Sequence, residues 1–245
     1  MKRTLSGLLL ALSLLLSGCG AQSAPISFDT SATAIVLEEI TGGGMTPTLW
    51  RRVDALPVVR LYGDGRLIYR DYEVAGAMRW MEARLTPDET SALVRDVVGP
   101  NRELCNGATI DAPAVLDAPS TMLRVQLSDQ TCTVDVPALG IDGERAGLSR
   151  DGAILLRQIE HANQALASLN SPTARPLAPA QITLAVEPGE AFDQTIEWPF
   201  PSVAIADGVT VSGPDAAAVL AAAAMPISVR DASGAYSVVA LPVLP

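Results

Sequence analysis

One histidine and three cysteines are all that this chain of 245 residues offers for imidazole or thiol chemistry. His161 would need a serine and an acid beside it to drive acyl transfer, and no G-x-S-x-G elbow presents such a serine. Zinc sites built from histidine and cysteine sets are excluded by the supply of ligands. Carboxylates are plentiful, with 27 Asp and Glu, so paired-acid chemistry of the glycosidase type stays open on composition. Aromatic residues, which commonly line sugar clefts, make up only 4% of the chain. Asp64, within Gly63-Asp64-Gly65, reads as a turn residue and not a calcium ligand, because acids do not recur at alternate positions as in an EF-hand loop. Asp111, Asp117 and Asp135 flank two of the cysteines and read as solvated or turn-capping carboxylates. Trp50 with Arg51 and Arg52, and Trp198 with Phe200, are the candidate partner contacts, because aromatics and arginine are enriched at interface centres. The competing reading is partial burial in the core. No catalytic residue, metal ligand or cofactor is assigned.

The cysteines divide into one and two. Met1-Lys2-Arg3 is a short cationic start, and the leucine-rich run from Leu5 to Leu16 is shorter than the roughly 20 apolar residues a membrane span requires. That run ends at Leu16-Ser17-Gly18-Cys19, which is similar to the lipobox of bacterial lipoproteins. The expectation is a signal peptide over 1–18 and acylation of Cys19, with chains such as palmitate holding the protein on a membrane face. Cys105 and Cys132 remain as an even pair in a chain expected to reach an oxidising compartment, so a disulfide is expected, with two buried free thiols as the alternative.

Cleavage after Gly18 leaves 227 residues and removes two of the 17 basic ones, so 15 face 27 acids and the net charge moves from −10 to −12. That excess disfavours nucleic acid, whose binding depends on basic contacts to phosphate, and disfavours docking of the folded body on anionic lipid. The expected membrane partner is therefore engaged through the lipid on Cys19.

Candidate groups are only as useful as the elements that hold them. Residues 19–31 read as a tether. Ala34-Ile35-Val36-Leu37 has strand composition and breaks at Gly42-Gly43-Gly44. Pro57 to Tyr62 and Arg66 to Arg70 are two β-type runs joined by Gly63-Asp64-Gly65, a hairpin whose turn needs positive φ. Met78 to Leu85 alternates as a strand. Thr86-Pro87-Asp88-Glu89 carries a threonine N-cap, proline in the first turn and glutamate at the capping-box position, opening a helix with Leu93, Val94, Val97 and Val98 on its buried face. Thr121 to Leu127 and Thr131 to Val136 form a second hairpin around 128–130. Leu155, Ile159, Ala162, Leu166 and Leu169 stripe a helix from about Arg150 to Leu169, with His161 on its polar side. Residues 170–177 read as a linker. Beyond it lie a strand from Gln181 to Val186, an alanine-rich helix entered at Pro214-Asp215, and a strand from Tyr236 to Leu241. The fold class expected is α+β: two small mixed units, 32–169 and 178–245, of mostly antiparallel strands each packed by one or two helices.

The hairpin from Leu61 to Tyr69, followed by Leu85-Thr86-Pro87-Asp88-Glu89, resembles a group of uncharacterised bacterial lipoproteins and secreted domains that join a G-D-G hairpin to a helix opened by L-T-x-(D/E)-E. Trp198-Pro199, Val211 to Ala216 and Leu241 to Pro245 extend the likeness. It implies an envelope location and carries no activity or catalytic residue with it. The function expected is a lipid-anchored extracytoplasmic module that binds an envelope or extracellular protein and is not an enzyme. The alternatives are an envelope hydrolase or small-molecule binder with a carboxylate-lined cleft between the two units, near residues 170–180, and an inert surface or assembly component.

Overall fold

The Gly63-Asp64-Gly65 turn organises the first sheet. Gly65 has φ +83°, a region that L side chains rarely adopt, and its N–H donates to the Tyr62 carbonyl at 3.0 Å. One Asp64 carboxylate oxygen accepts the Arg66 N–H at 3.1 Å and the other accepts the Arg84 guanidinium at 2.6 Å. The turn also meets the next helix. Leu85 N–H donates to the Gly65 carbonyl at 2.8 Å, and beside it Thr86 and Glu89 exchange both bonds of a capping box. The two stretches that the sequence likeness joins are thus one local unit.

The computed structural model describes residues 26–72, 78–110, 117–140, 148–169, 171–189, 191–192 and 195–245. Cys19, the expected signal peptide over 1–18 and Asp111 lie outside them. In chain order the elements are β1 Ile35–Gly42, α1 Thr48–Asp54, β2 Val59–Tyr62, β3 Arg66–Tyr72, β4 Met78–Arg84, α2 Pro87–Val98, a 3-10 turn Glu103–Cys105, β5 Ser120–Gln126, β6 Thr131–Pro137 and α3 Arg150–Ala167. They continue as β7 Arg175–Pro176, β8 Gln181–Pro188, β9 Thr195–Glu197, β10 Thr210–Ser212, α4 Pro214–Ala223, β11 Ile227–Asp231 and β12 Gly234–Pro242. The fold is α+β with two sheets. One is an antiparallel seven-stranded sheet in the order β6-β5-β1-β2-β3-β4-β7, and the other is five-stranded in the order β10-β8-β12-β11-β9, with only the β9–β11 pair parallel.

Each face of the large sheet is covered by something different. Leu37, Leu61, Leu67 and Val125 face α2 and α3, whose Val94, Val97, Val98, Leu155, Ile159, Ala162 and Leu166 complete one core. Full burial of each leucine side chain contributes about 1.5–3 kcal/mol. Tyr62, Ile68, Met78 and Trp80 share the other core with Leu49 and Val53 of α1, Val219 and Leu220 of α4, and Leu184, Val238 and Val239 of the second sheet. A single core therefore runs from the first sheet into the C-terminal one. The segment expected as a linker supplies β7 at the edge of the large sheet, and Leu177 beyond it is buried, its N–H donating to the Trp80 carbonyl at 2.8 Å. Residues 26–31 of the expected tether also touch the body: Ile26 and Phe28 pack on the first core, and the Asp29 carbonyl crosses over Gly63.

Cys105 and Cys132 are bonded, with Sγ–Sγ 1.97 Å and Cα–Cα 4.8 Å, tying the 3-10 turn after α2 to β6. Among the described residues no helix is long and apolar enough to cross a membrane.

Candidate functional site

β1 is an interior strand of the large sheet, flanked by β5 and β2, and one core packs on each face of that sheet. It nevertheless carries two consecutive acids, Glu38 and Glu39, both buried. Side chains alternate along a strand, so the two point to opposite faces, and they meet opposite fates.

Glu38 lies in a transverse row that reads Arg124, Glu38, Arg60, Ile68, Glu82, Arg175 across β5, β1, β2, β3, β4 and β7. Arg60 approaches its carboxylate at 2.6 Å and Arg124 at 2.8 Å. Farther along, Glu82 is held by Arg66 at 2.7 Å and Arg175 at 3.2 Å. The row is a ladder of matched charges. A cavity of about 430 Å³ runs beside Arg66, Glu82, Arg84 and Arg175, but these guanidinium groups already have Glu82 and Asp64 as partners.

Glu39 lies in the row Leu123, Glu39, Val59, Tyr69, Met81, on the face that α2 and α3 cover. It is 4% exposed, and among the described residues no side chain or backbone group donates a hydrogen bond to its carboxyl. Burial pushes its pKa from the ordinary 4.5 up to about 7, against the opposing attraction of the Arg70 charge. The carboxyl borders a cavity of about 330 Å³ between β1–β3 and the C-terminal turn of α3, where Tyr69, Asp71, Tyr72, Asn163 and Leu166 also contribute to the lining. That volume is at the small end of the range for ligand pockets.

Arg70 completes the electrostatics. Register places it with Trp80, toward the second core. Its Nη2 donates to the carbonyls of Val53 and Leu56 at the C-terminal end of α1, where a cation complements the helix dipole. Its guanidinium lies 5.3 Å from the centroid of the Trp80 ring and 3.8 Å from Asp54. Asp54 is raised by burial and lowered by Arg70. One buried cation thus serves two desolvated acids, and Glu39, the more deeply buried, holds its proton near neutrality. Burial, with the neighbouring Asp71 carboxylate, raises the Tyr69 hydroxyl above its ordinary value.

The residues singled out from sequence are placed as follows. His161 Nε2 and Asp96 Oδ1 are 2.9 Å apart on the exposed sides of α3 and α2. Arg51 Nε donates to the Thr46 carbonyl at 2.7 Å. Arg52 makes two bonds to Asp207, at 2.8 and 3.2 Å, joining α1 to the loop before β10. Trp50, Trp198 and Phe200 are half-buried against the second core. Trp198 Nε1 donates to the Val203 carbonyl at 2.9 Å, and its ring meets Phe200 edge-on with centroids 5.2 Å apart. Each of these groups thus has an intramolecular use. Asp135 accepts a hydrogen bond from Ser120, and among the described residues no group of three His, Cys, Asp or Glu is placed to hold a metal ion. The cavity at the boundary of the two sheets, about 230 Å³, is lined by Trp80, Leu177 and Leu220, the α4 alanines and Arg79, with no carboxylate among the described residues of its lining.

Glu39 and Arg70 are not among the sequence candidates. A signal was present: Ile35-Val36-Leu37-Glu38-Glu39-Ile40 places two adjacent acids inside an apolar strand, and a strand covered on both faces cannot solvate both. No family model, no curated protein and no solved structure matches the chain. The class that the fold and site define is a two-sheet α+β protein with a buried, protonatable carboxyl beside a small cavity.

Proposed function

We propose that this chain is a lipid-anchored extracytoplasmic protein that binds a small molecule in the cavity beside Glu39. The observation that carries the reading is the Glu39 carboxyl itself. It is buried, touches no guanidinium, accepts no hydrogen bond among the described residues, and borders about 330 Å³ of space. A buried polar group without a partner is costly and rarely kept for stability alone. A perturbed carboxyl in a concave site is a physical marker of a binding or catalytic position. Binding is favoured over paired-acid hydrolysis because the second carboxyl of the described lining, Asp71, is held by Arg79 at 3.2 Å. The half-burial of Trp50, Trp198 and Phe200 takes support away from a protein-docking surface built on them. The cationic start, the leucine-rich run and Leu16-Ser17-Gly18-Cys19 support the anchor.

Two measurements test this. Saturation-transfer NMR of the purified full-length protein with a panel of cationic, neutral and anionic fragments is expected to give binders whose signal falls at least tenfold in Glu39→Gln. A panel with no binder sensitive to that substitution overturns the pocket. Intact mass of the protein from its native membrane is expected to lack residues 1–18 and to include acyl chains. An unacylated chain retaining those residues overturns the anchor.

A further inference from the structure

We infer that the Glu39 cavity takes a small organic cation, an alkylammonium ion, held by charge against Glu39 and seated beside the ring of Tyr69. The inference rests on the pocket reading above and adds the chemical class of its ligand.

Four observations carry it. First, the ionisable groups on the described lining are Glu39, Tyr69, Arg70, Asp71 and Tyr72, supplied by β1 and β3, while Val58 and Val59 come from the residue before β2 and its start, and Asn163, Leu166, Ala167 and Leu169 from the end of α3 and the residues just after it. Of the two acids, Asp71 is paired with Arg79 at 3.2 Å, which leaves Glu39 as the carboxyl open to a ligand. Second, Arg70 is largely committed, although its buried Nε has no hydrogen-bond partner among the described residues. Its guanidinium is held by the Val53 and Leu56 carbonyls, lies over the Trp80 ring and has Asp54 at 3.8 Å, so its charge is met from the other side of the sheet. Third, Tyr69 presents an aromatic ring at the wall, and a cation near such a ring gains about 0.5–2 kcal/mol, the larger value when water is excluded. Fourth, the whole chain has a net charge of −10, a field that concentrates cations and repels anions at its surface. A volume of about 330 Å³ suits a molecule of a few carbons and not a polyelectrolyte.

The Glu39 carboxyl gives the proposal its signature. A proton and an ammonium ion compete for the same oxygens, so the cation binds the ionised form and displaces the proton. With a pKa of about 7, the group is about one-tenth ionised at pH 6 and about nine-tenths at pH 8, so affinity should rise about tenfold across that interval.

The test uses the full-length protein and three probes, tetramethylammonium, choline and putrescine, set against acetate and against 3,3-dimethylbutan-1-ol, the uncharged isostere of choline. The expected result is saturation transfer to the ammonium ions alone, dissociation constants about tenfold lower at pH 8 than at pH 6, and loss of that pH dependence in Glu39→Gln. Glutamine copies the shape of the protonated acid. If the variant fails to fold, the pH profile of the unmodified protein still decides. Equal binding of choline and its isostere, or preference for acetate, overturns the cation while leaving the pocket standing. Absence of any Glu39-dependent binder overturns both.

Discussion

Glu39 should make the fold less stable as the pH rises through neutrality, the reverse of the usual behaviour of a paired carboxylate. Its folded pKa of about 7 lies above the ordinary glutamate value of 4.5. Between those values the native protein holds a proton that the unfolded chain releases. The stabilisation is complete below pH 4.5 and is lost as the pH climbs through 7. Linkage with these two values gives a loss of about 2.5 kcal/mol between pH 5 and pH 8, because a tenfold difference in proton affinity between the folded and unfolded chains corresponds to about 1.4 kcal/mol. Asp64, Glu103 and Asp207 are lowered, are present in both members of a Glu39→Gln pair and cancel in the difference. Asp54 is also raised and shares Arg70 with Glu39, so an Asp54→Asn background is included to separate its contribution. The assay is urea unfolding of the two proteins at pH 5, 6, 7 and 8. The midpoint of the unmodified protein is expected to fall, relative to the variant, by roughly 1 M over that range. Parallel midpoints would refute the claim that this carboxyl is buried without a partner, and with it the motive for the pocket.

Two further tests address the scaffold. Replacing Cys105 and Cys132 by serine removes a cross-link spanning 27 residues, which in the chain-entropy account costs about 3–4 kcal/mol, read as a lower urea midpoint that reduction of the native protein should reproduce. Gly63→Ala should destabilise by about 3 kcal/mol or more, because the new methyl would lie 2.0 Å from the Asp29 carbonyl oxygen, a backbone atom. Calorimetry should find the melting temperature unchanged if the 26–31 segment is free to move away.

Much of the scaffold was legible because its signals are local. The Gly63-Asp64-Gly65 turn, the Thr86 capping box and the Leu155, Ile159, Ala162, Leu166 stripe each specify an element through neighbours within four residues, and the structure places all three where the pattern does. The α+β class follows from them. What escaped was set by distant contacts. α1 spans seven residues and has no side-chain N-cap bond, so nothing in its own sequence announces a helix; Leu49 and Val53 are helical because the second core buries them. β7 is two residues long and exists only because β4 offers an edge. Trp50 and Trp198 stand out in the sequence beside arginine and phenylalanine, yet composition does not say which tryptophan lies deepest. That one is Trp80, 3% exposed under Arg70.

The contrast between Glu38 and Glu39 argues most directly for function. Both are buried in one interior strand, so neither strand position nor composition distinguishes them. On one face the chain supplies Arg60 and Arg124 and makes Glu38 a structural member. On the other face the same sheet offers Leu123, Val59 and Met81 as row neighbours, a setting in which an apolar residue would be more stable at pH 8 than an acid. Arginine was available to this sheet, as Arg60, Arg66, Arg84 and Arg124 demonstrate, and of its arginines only Arg70 bears on Glu39, through its charge and not through an ion pair or hydrogen bond. A group kept at a loss of stability, with space beside it instead of a partner, is the pattern expected where the partner arrives from outside the chain.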